Sequence, residues 1–523
     1  MMRCVACITI LAIWVLVASS PSPANGAWAD AQEQELPYLL RTTASQTLLD
    51  EGRVHLFAFR FTAAENRFRA LLRRPDGEAA SYYHLATVAF YKGLVTDDEA
   101  YFERSMARID SLRQSLEARP ESVWSRQMLA KSELMRVVTA GKLQRYLRAA
   151  WSARSAFKKF EDLLEDHPGF TEAYLGMGLL HLTVASLPAG WRDLLSVLGF
   201  QGTAPQALSE LQRAARHSRY NRREAQLALA TADLVLLQNV ERGTERMAQL
   251  YDEDPESLLY KHLYGFALQT NRQAGEAERI LRSAVARDGP TYFYINYLDY
   301  YLAETLFVQG RYGEATTYYE SFLERHDGLA IQAMSRYRLG LALEMQGQRD
   351  AATTWYAAVR GERDFDSDNY AKRWAQKRLR TPMTALGRKE LRGQNAFQSG
   401  RYAQAERLLR NVFDAPDATP AQRSHAAYFI GQTLRVQGNY DAAYPAYYYA
   451  VQHPGDPKAQ WRPWSQLFIA EMHLDQGRRE AAIRAYENAL DFDTPYDYYQ
   501  SLEQTARIAL EQLRAEDPDT ESR

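Results

Sequence analysis

The apolar and polar positions of this chain fall into a recurring register. Five segments align on one glycine: Gly310-Arg-Tyr-Gly-Glu-Ala315, Gly347-Gln-Arg-Asp-Ala-Ala352, Gly400-Arg-Tyr-Ala-Gln-Ala405, Gly438-Asn-Tyr-Asp-Ala-Ala443 and Gly477-Arg-Arg-Glu-Ala-Ala482. Seven residues before each glycine stands a small residue (Ala303, Gly340, Gly393, Gly431, Ala470), and five after it stands alanine. Nine after it comes a bulky residue (Tyr319, Tyr356, Leu409, Tyr447, Tyr486), and twelve after it Phe322, Val359, Val412, Ala450 or Ala489. The mechanical meaning is a helix pair. A first helix ends at the glycine, which closes it at positive φ. The small residues let the two helices cross closely, and the bulky face of the second helix wedges against the next pair. No single pair can bury that face alone, so the units must stack into a superhelix.

These residues resemble the tetratricopeptide repeat, and the resemblance extends upstream with more drift. Gly52, Phe59, Phe61, Ala64, Phe68, Leu71 and Pro75 fit one unit, and Ala156, Phe160, Leu163 and Pro168 end another. Gly178 with Ala207, Leu211 and Ala214 gives a third, and Gly265, Ala277, Leu281 and Ala284 a fourth, with Arg272 in the place of the turn glycine. The expected fold is all-α: an α-α superhelix of roughly eleven helix pairs with a C-terminal capping helix. Between Gly347 and Gly400 the spacing is 53 residues instead of 37 to 39, which fits one added helix stopped by Pro382. Pro445 falls inside a second helix and is expected to kink it.

A third departure is the insertion at 187–203. Pro188 starts and Gly199 ends a predicted short helix, with Trp191, Leu194, Leu195 and Leu198 at helical spacing and Phe200 just beyond. Leu198-Gly199-Phe200 and Gly202 resemble a segment of the tetratricopeptide-repeat family called outer membrane protein 39, whose fungal member is linked to inclusion-body clearance. Thr203-Ala204-Pro205 stands where that family carries a basic residue. The insertion is read either as a plug folded into the concave side or as a wedge that meets a membrane or partner.

At the N-terminus, Arg3, an apolar run from Val5 to Ala18 and Ala27-Trp28-Ala29 read as a secretory signal cut after Ala29. The expected location is periplasmic or secreted, with an uncleaved anchor as the alternative. The expected organisation is signal peptide 1–29, linker 30–44, divergent repeats 45–255, regular repeats 256–364, added helix 365–382, further repeats 383–495, capping helix 496–514 and disordered tail 515–523. Cys4 and Cys7 are the only cysteines, so the mature body is expected to have neither a disulfide nor a thiolate metal site.

A formal net charge of −2 gives no reason to expect a nucleic acid as partner. The ten histidines form no close ligand pair, His181 sits at a packing position, and neither a phosphate-cradling loop nor a nucleophile elbow occurs. The chain is therefore expected to be no enzyme and to use no cofactor. Its 33 tyrosines suit both helix seams and recognition grooves. Counting from the small residue, Tyr297, Tyr300, Tyr337, Tyr428 and Trp464 are predicted on the concave face, as a peptide groove or as packing between first helices. Lys372, Arg373, Lys377, Arg378, Arg380, Arg388, Lys389 and Arg392 form a basic patch, either an anion site or a solvated face. The resulting expectation is a scaffold that binds a protein or peptide. The alternative is an envelope-associated protein meeting lipid or anionic polymer through the 187–203 helix and the 372–392 patch.

Overall fold

The computed structural model describes residues 37–186 and 202–515, apart from 238, 327, 329–330, 361–365, 454 and 494. The expected signal peptide and the insertion residues Trp191, Leu194, Leu195, Leu198 and Phe200 lie outside the described residues. Within the described part the chain forms 24 α-helices and no strand.

Eleven antiparallel hairpins account for twenty-two of these helices. The first three pairs are α1 (Thr43–Phe57) with α2 (Phe61–Leu72), α3 (Glu78–Thr96) with α4 (Glu99–Glu117), and α5 (Val123–Lys142) with α6 (Tyr146–Asp166). Next come α7 (Ala173–Ala185) with α8 (Ala204–His217), α9 (Arg222–Val235) with α10 (Val240–Glu253), and α11 (Leu258–Thr270) with α12 (Ala274–Val285). They are followed by α13 (Tyr297–Gln309) with α14 (Tyr312–Arg325), and α15 (Gln332–Met345) with α16 (Arg349–Ala357). An additional helix, α17 (Asp366–Arg380), precedes α18 (Ala385–Gln398) with α19 (Tyr402–Phe413). The last pairs are α20 (Pro420–Val436) with α21 (Tyr440–Gln452), and α22 (Trp461–Asp475) with α23 (Arg479–Leu490), before a closing α24 (Tyr499–Ala515). Helix α21 continues through Pro445.

The recurring residues do what their sizes dictate. The five turn glycines adopt φ from 69° to 85°. A methyl group on Gly340 would meet Tyr356 at 2.5 Å, and one on Gly431 would meet Tyr447 at 2.8 Å, so each crossing depends on a missing side chain. Ala315, Ala352, Ala405, Ala443 and Ala482 are all fully buried beneath the partner helix.

Successive turns of the superhelix touch. The Phe293 N–H donates to the Phe59 carbonyl at 2.7 Å, and Ser257 Oγ donates to the Phe57 carbonyl at 2.8 Å. Asp97, at the end of α3, pairs with Lys142 and lies 3.7 Å from His326 Nε2. Farther along, Asn395 Nδ2 donates to the Phe307 carbonyl at 3.1 Å, and a methyl group on Gly400 would meet the Arg272 carbonyl at 2.6 Å. The residues at these meeting points include Phe59, Asp97 and Arg272, non-glycine turn residues held at φ 59–60°. Each stands where a regular hairpin carries its turn glycine, and each brings atoms to the neighbouring superhelical turn.

The inside of the N-terminal turn is filled. Arg53 donates to the Tyr38 hydroxyl at 2.8 Å and the Tyr220 carbonyl at 2.9 Å, and Lys131 donates to Asn221 at 2.9 Å beside Glu224. At the other end α24 folds back, so that Ile508 packs in one apolar cluster with Leu175 and Leu179 of α7, Leu211 of α8 and Leu229 of α9. Just before α24, Asp497 receives Arg373 and Trp374 from α17. Among the described residues, the first helices of the C-terminal half leave cavities between them.

Candidate functional site

First helices α11, α13, α15, α18 and α20 surround a cavity of about 510 Å³, within the range of small-ligand and peptide-anchor sites. Its walls are largely aromatic: Phe266, Tyr300, Tyr301, Phe397, Tyr428 and Phe429. Polar groups enter as Gln269, Gln398, Gln432 and Gln460, with Glu304, Arg338 and Arg272. Arg338 Nε lies 3.2 Å from Glu304, and Glu304 also accepts the Tyr319 hydroxyl. Burial works against the Arg338 charge, but Glu304 together with the phenols of Tyr319, Tyr370 and Tyr300 outweighs it, leaving the guanidinium above its ordinary value. The carbonyl oxygens of Gln398 and Gln432 are buried and receive no hydrogen bond among the described residues. Unsatisfied buried acceptors are costly, and a bound N–H group would relieve them.

A second cavity of about 230 Å³ lies between α15, α17, α18 and α20, where the additional helix parts two regular hairpins. Tyr337, Tyr370, Trp374 and Trp461 wall it, Lys377 and Arg378 border it, and His425 Nδ1 lies 2.7 Å from Glu390 at its rim. Arg338 borders both cavities.

The residues singled out from sequence separate accordingly. Tyr300 and Tyr428 line the larger cavity and Tyr337 the smaller. All three are buried, and burial pushes their hydroxyls above the usual phenol range, so they are neutral walls; the Tyr428 hydroxyl accepts from Gln432 Nε2 at 3.1 Å. Tyr297 sits elsewhere, between superhelical turns, its ring 5.0 Å from His326 and its hydroxyl 3.5 Å from Asp97. Half-buried Trp464 packs on Phe468 at 5.8 Å and borders neither cavity.

The basic patch divides too. Arg373 is engaged by Asp456 and Asp497, and Lys377 lies 3.7 Å from Asp456 and 4.5 Å from the centre of the Trp374 ring. Lys372, Arg380, Lys389 and Arg392 are exposed, while Arg388 is half-buried. His181, buried as its position implied, meets Glu210 at 2.6 Å. Sequence reasoning missed Tyr301, Tyr370, Trp374, the glutamines and Arg272 as cavity residues. For Arg272 a signal existed, since it occupies a turn that elsewhere demands glycine.

Among the described residues no group of three or more histidines and carboxylates is arranged to hold a metal ion. Nor is any described helix long and apolar enough to cross a membrane.

The tetratricopeptide repeat profile matches residues 49–111, 300–367 and 391–457. The Iml2/Tetratricopeptide repeat protein 39 profile matches residues 170–263, a span that includes the insertion. No curated protein matches the chain. Among solved structures, the human IFIT1 dimer with m7Gppp-AAAA is 14% identical, covering 87% of this chain and 94% of its own, with a TM-score of 0.32. The APC/C hetero-tetramer Cut9-Hcn1 is 15% identical, covering 89% of this chain and 96% of its own, with a TM-score of 0.25. Such loose superpositions carry no ligand across. The chain is thus a tetratricopeptide-repeat protein, resembling the Iml2/Tetratricopeptide repeat protein 39 family across residues 170–263.

Proposed function

We propose that this protein is a secreted or periplasmic scaffold that binds an extended segment of a partner protein inside the concave side of its C-terminal half. Tetratricopeptide repeats mediate protein–protein contact, and the observation that carries the finer reading is the cavity of about 510 Å³. Its aromatic walls lose little side-chain entropy on binding, and its unpaired glutamine carbonyls match the N–H groups of a peptide backbone. The location rests on the apolar leader alone.

The cysteine-free body makes the test direct. With Cys4 and Cys7 changed to serine, Gln269→Cys carries a bulky maleimide label into the cavity, and Glu245→Cys carries the same label on exposed α10. Partner proteins captured from envelope extract should be lost when position 269 is labelled and kept when position 245 is. Equal capture by both labelled proteins would exclude the cavity as the binding site.

A further inference from the structure

Leu147 and Trp151 are 82% and 72% exposed, whereas the next most exposed large apolar side chain among the described residues, Tyr448, stands at 44%. They lie one turn apart on α6, opposite the face on which Ala156, Phe160 and Leu163 are buried. Exposed Arg154 and Lys158 continue the same stripe at the following turns, with exposed Arg148 beside it. No acidic residue occurs between Glu133 and Glu161, while Arg145, Arg148, Arg154, Lys158 and Lys159 all fall in that stretch. Arg145 reaches Glu99 at 2.6 Å and Lys158 reaches Asp162 at 2.5 Å, whereas Arg148 meets no carboxylate among the described residues.

The charges run against the helix that carries them. Cations gather toward the N-terminal end of α6, and Glu161, Asp162, Glu165 and Asp166 stand at its C-terminal end. That is the reverse of what the helix dipole favours, so local helix stability does not account for the arrangement. Nor does an ordinary solvated face, which would leave a leucine and a tryptophan side by side in water.

We propose that this corner of the third hairpin rests on an anionic lipid surface, with Leu147 and Trp151 in the headgroup layer and Arg148 and its neighbouring cations at the lipid phosphates. Indole favours that layer because its ring is apolar and its N–H is not. Long cationic side chains lie along apolar surface while their charged heads stay at the phosphates. Two adjacent apolar side chains ringed by cations are a poor match for a protein interface, which buries roughly 800 Å² on each partner around a core depleted of charge. The contact is a surface docking and not a span. None of these residues borders either cavity, so the inference is independent of the peptide reading of that site.

The test uses the full chain with Cys4→Ser and Cys7→Ser, carrying an environment-sensitive fluorophore at Leu147→Cys or, as a control, at Glu245→Cys on exposed α10. Each is titrated with vesicles of phosphatidylcholine alone or with about 30% phosphatidylglycerol, an anionic surface. Emission from position 147 should shift to the blue with the anionic vesicles and far less with phosphatidylcholine alone, and position 245 should not respond. The local probe separates this contact from vesicle binding by the apolar leader. Raising salt from about 0.05 to 0.3 M should weaken the response, as screening requires. Arg148→Gln should raise the half-saturating lipid concentration about 5-fold, the loss of one cation at the surface. Trp151→Ser should raise it about 10-fold through lost apolar burial. Both variants should keep the parent melting temperature, since the side chains they change are exposed. A label at 147 that ignores anionic vesicles, or responds equally to uncharged ones at every salt concentration, would overturn the proposal. A blue shift without vesicles that grows with protein concentration would assign the face to a second copy of the chain and overturn it as well.

Discussion

His262 shows how much a single buried group can report. It lies in α11, fully buried, its ring 5.2 Å from Tyr301. Burial lowers its pKa from 6.5 to about 3, so the folded protein keeps the ring neutral where the unfolded chain would protonate it. Between those values the unfolded state binds more protons, and stability falls as pH falls, by at most about 1.4 kcal/mol per pH unit for one such group. His84, buried and bonded to the Ala80 carbonyl at 2.8 Å, shifts in the same direction through burial and then Arg53. We expect urea-unfolding free energies to drop between pH 6.5 and 4.5, and the slope in His262→Asn to be shallower by nearly one proton. A slope unchanged by that substitution would show that His262 is not the group taking up the proton.

Among the elements, the hairpin turns divide into two kinds. Four turns closed by glycine, at Gly310, Gly347, Gly438 and Gly477, face open space, whereas those closed by Phe59, Asp97 and Arg272 meet another superhelical turn, the last of them at the glycine turn of Gly400. At the second of these, Asp97 and Lys142 are nearly inaccessible, with side chains 9% and 5% exposed. Asp97→Asn keeps a residue tolerant of the left-handed conformation and removes only the charge, stranding Lys142. The expected cost is about 3–5 kcal/mol in urea denaturation, and adding Lys142→Met should recover most of it. A small cost, or no recovery in the double variant, would mean that Asp97 and Lys142 are not energetically coupled as a buried pair. The hairpins themselves were legible in sequence, because glycine, alanine and bulky positions encode local crossings within about forty residues. The meetings between turns were not, since they join Phe59 to Phe293 and Asp97 to His326 and depend on small rotations accumulated over several hairpins. For the same reason the concave count found Tyr300, Tyr337 and Tyr428, but could not say that Tyr297 would be taken up by the neighbouring turn.

At the scale of the molecule, α24 ties the C-terminus to hairpins far earlier in the chain. In an open repeat array each unit contacts only its neighbours, so deleting the last helix would loosen the last hairpin and little else. Here Ile508 joins the α7–α9 cluster, and Gln504 Nε2 donates to the Ser186 carbonyl at 3.3 Å. Removing residues 496–523 should therefore speed amide hydrogen exchange in α7, α8 and α9 as well as in α23. Exchange confined to α22 and α23 would contradict the closure. The same closure bears on descent. Open arrays gain and lose units by copying errors, because an added unit disturbs only the joint where it enters. In this coil a duplicated hairpin between Asp97 and Phe293 would carry the meeting points that span it, Phe59 with Phe293 and Asp97 with His326, out of step with their mates. The number of hairpins is thereby frozen, and inheritance can vary the protein only by changing residues within units or by lengthening the strips between them.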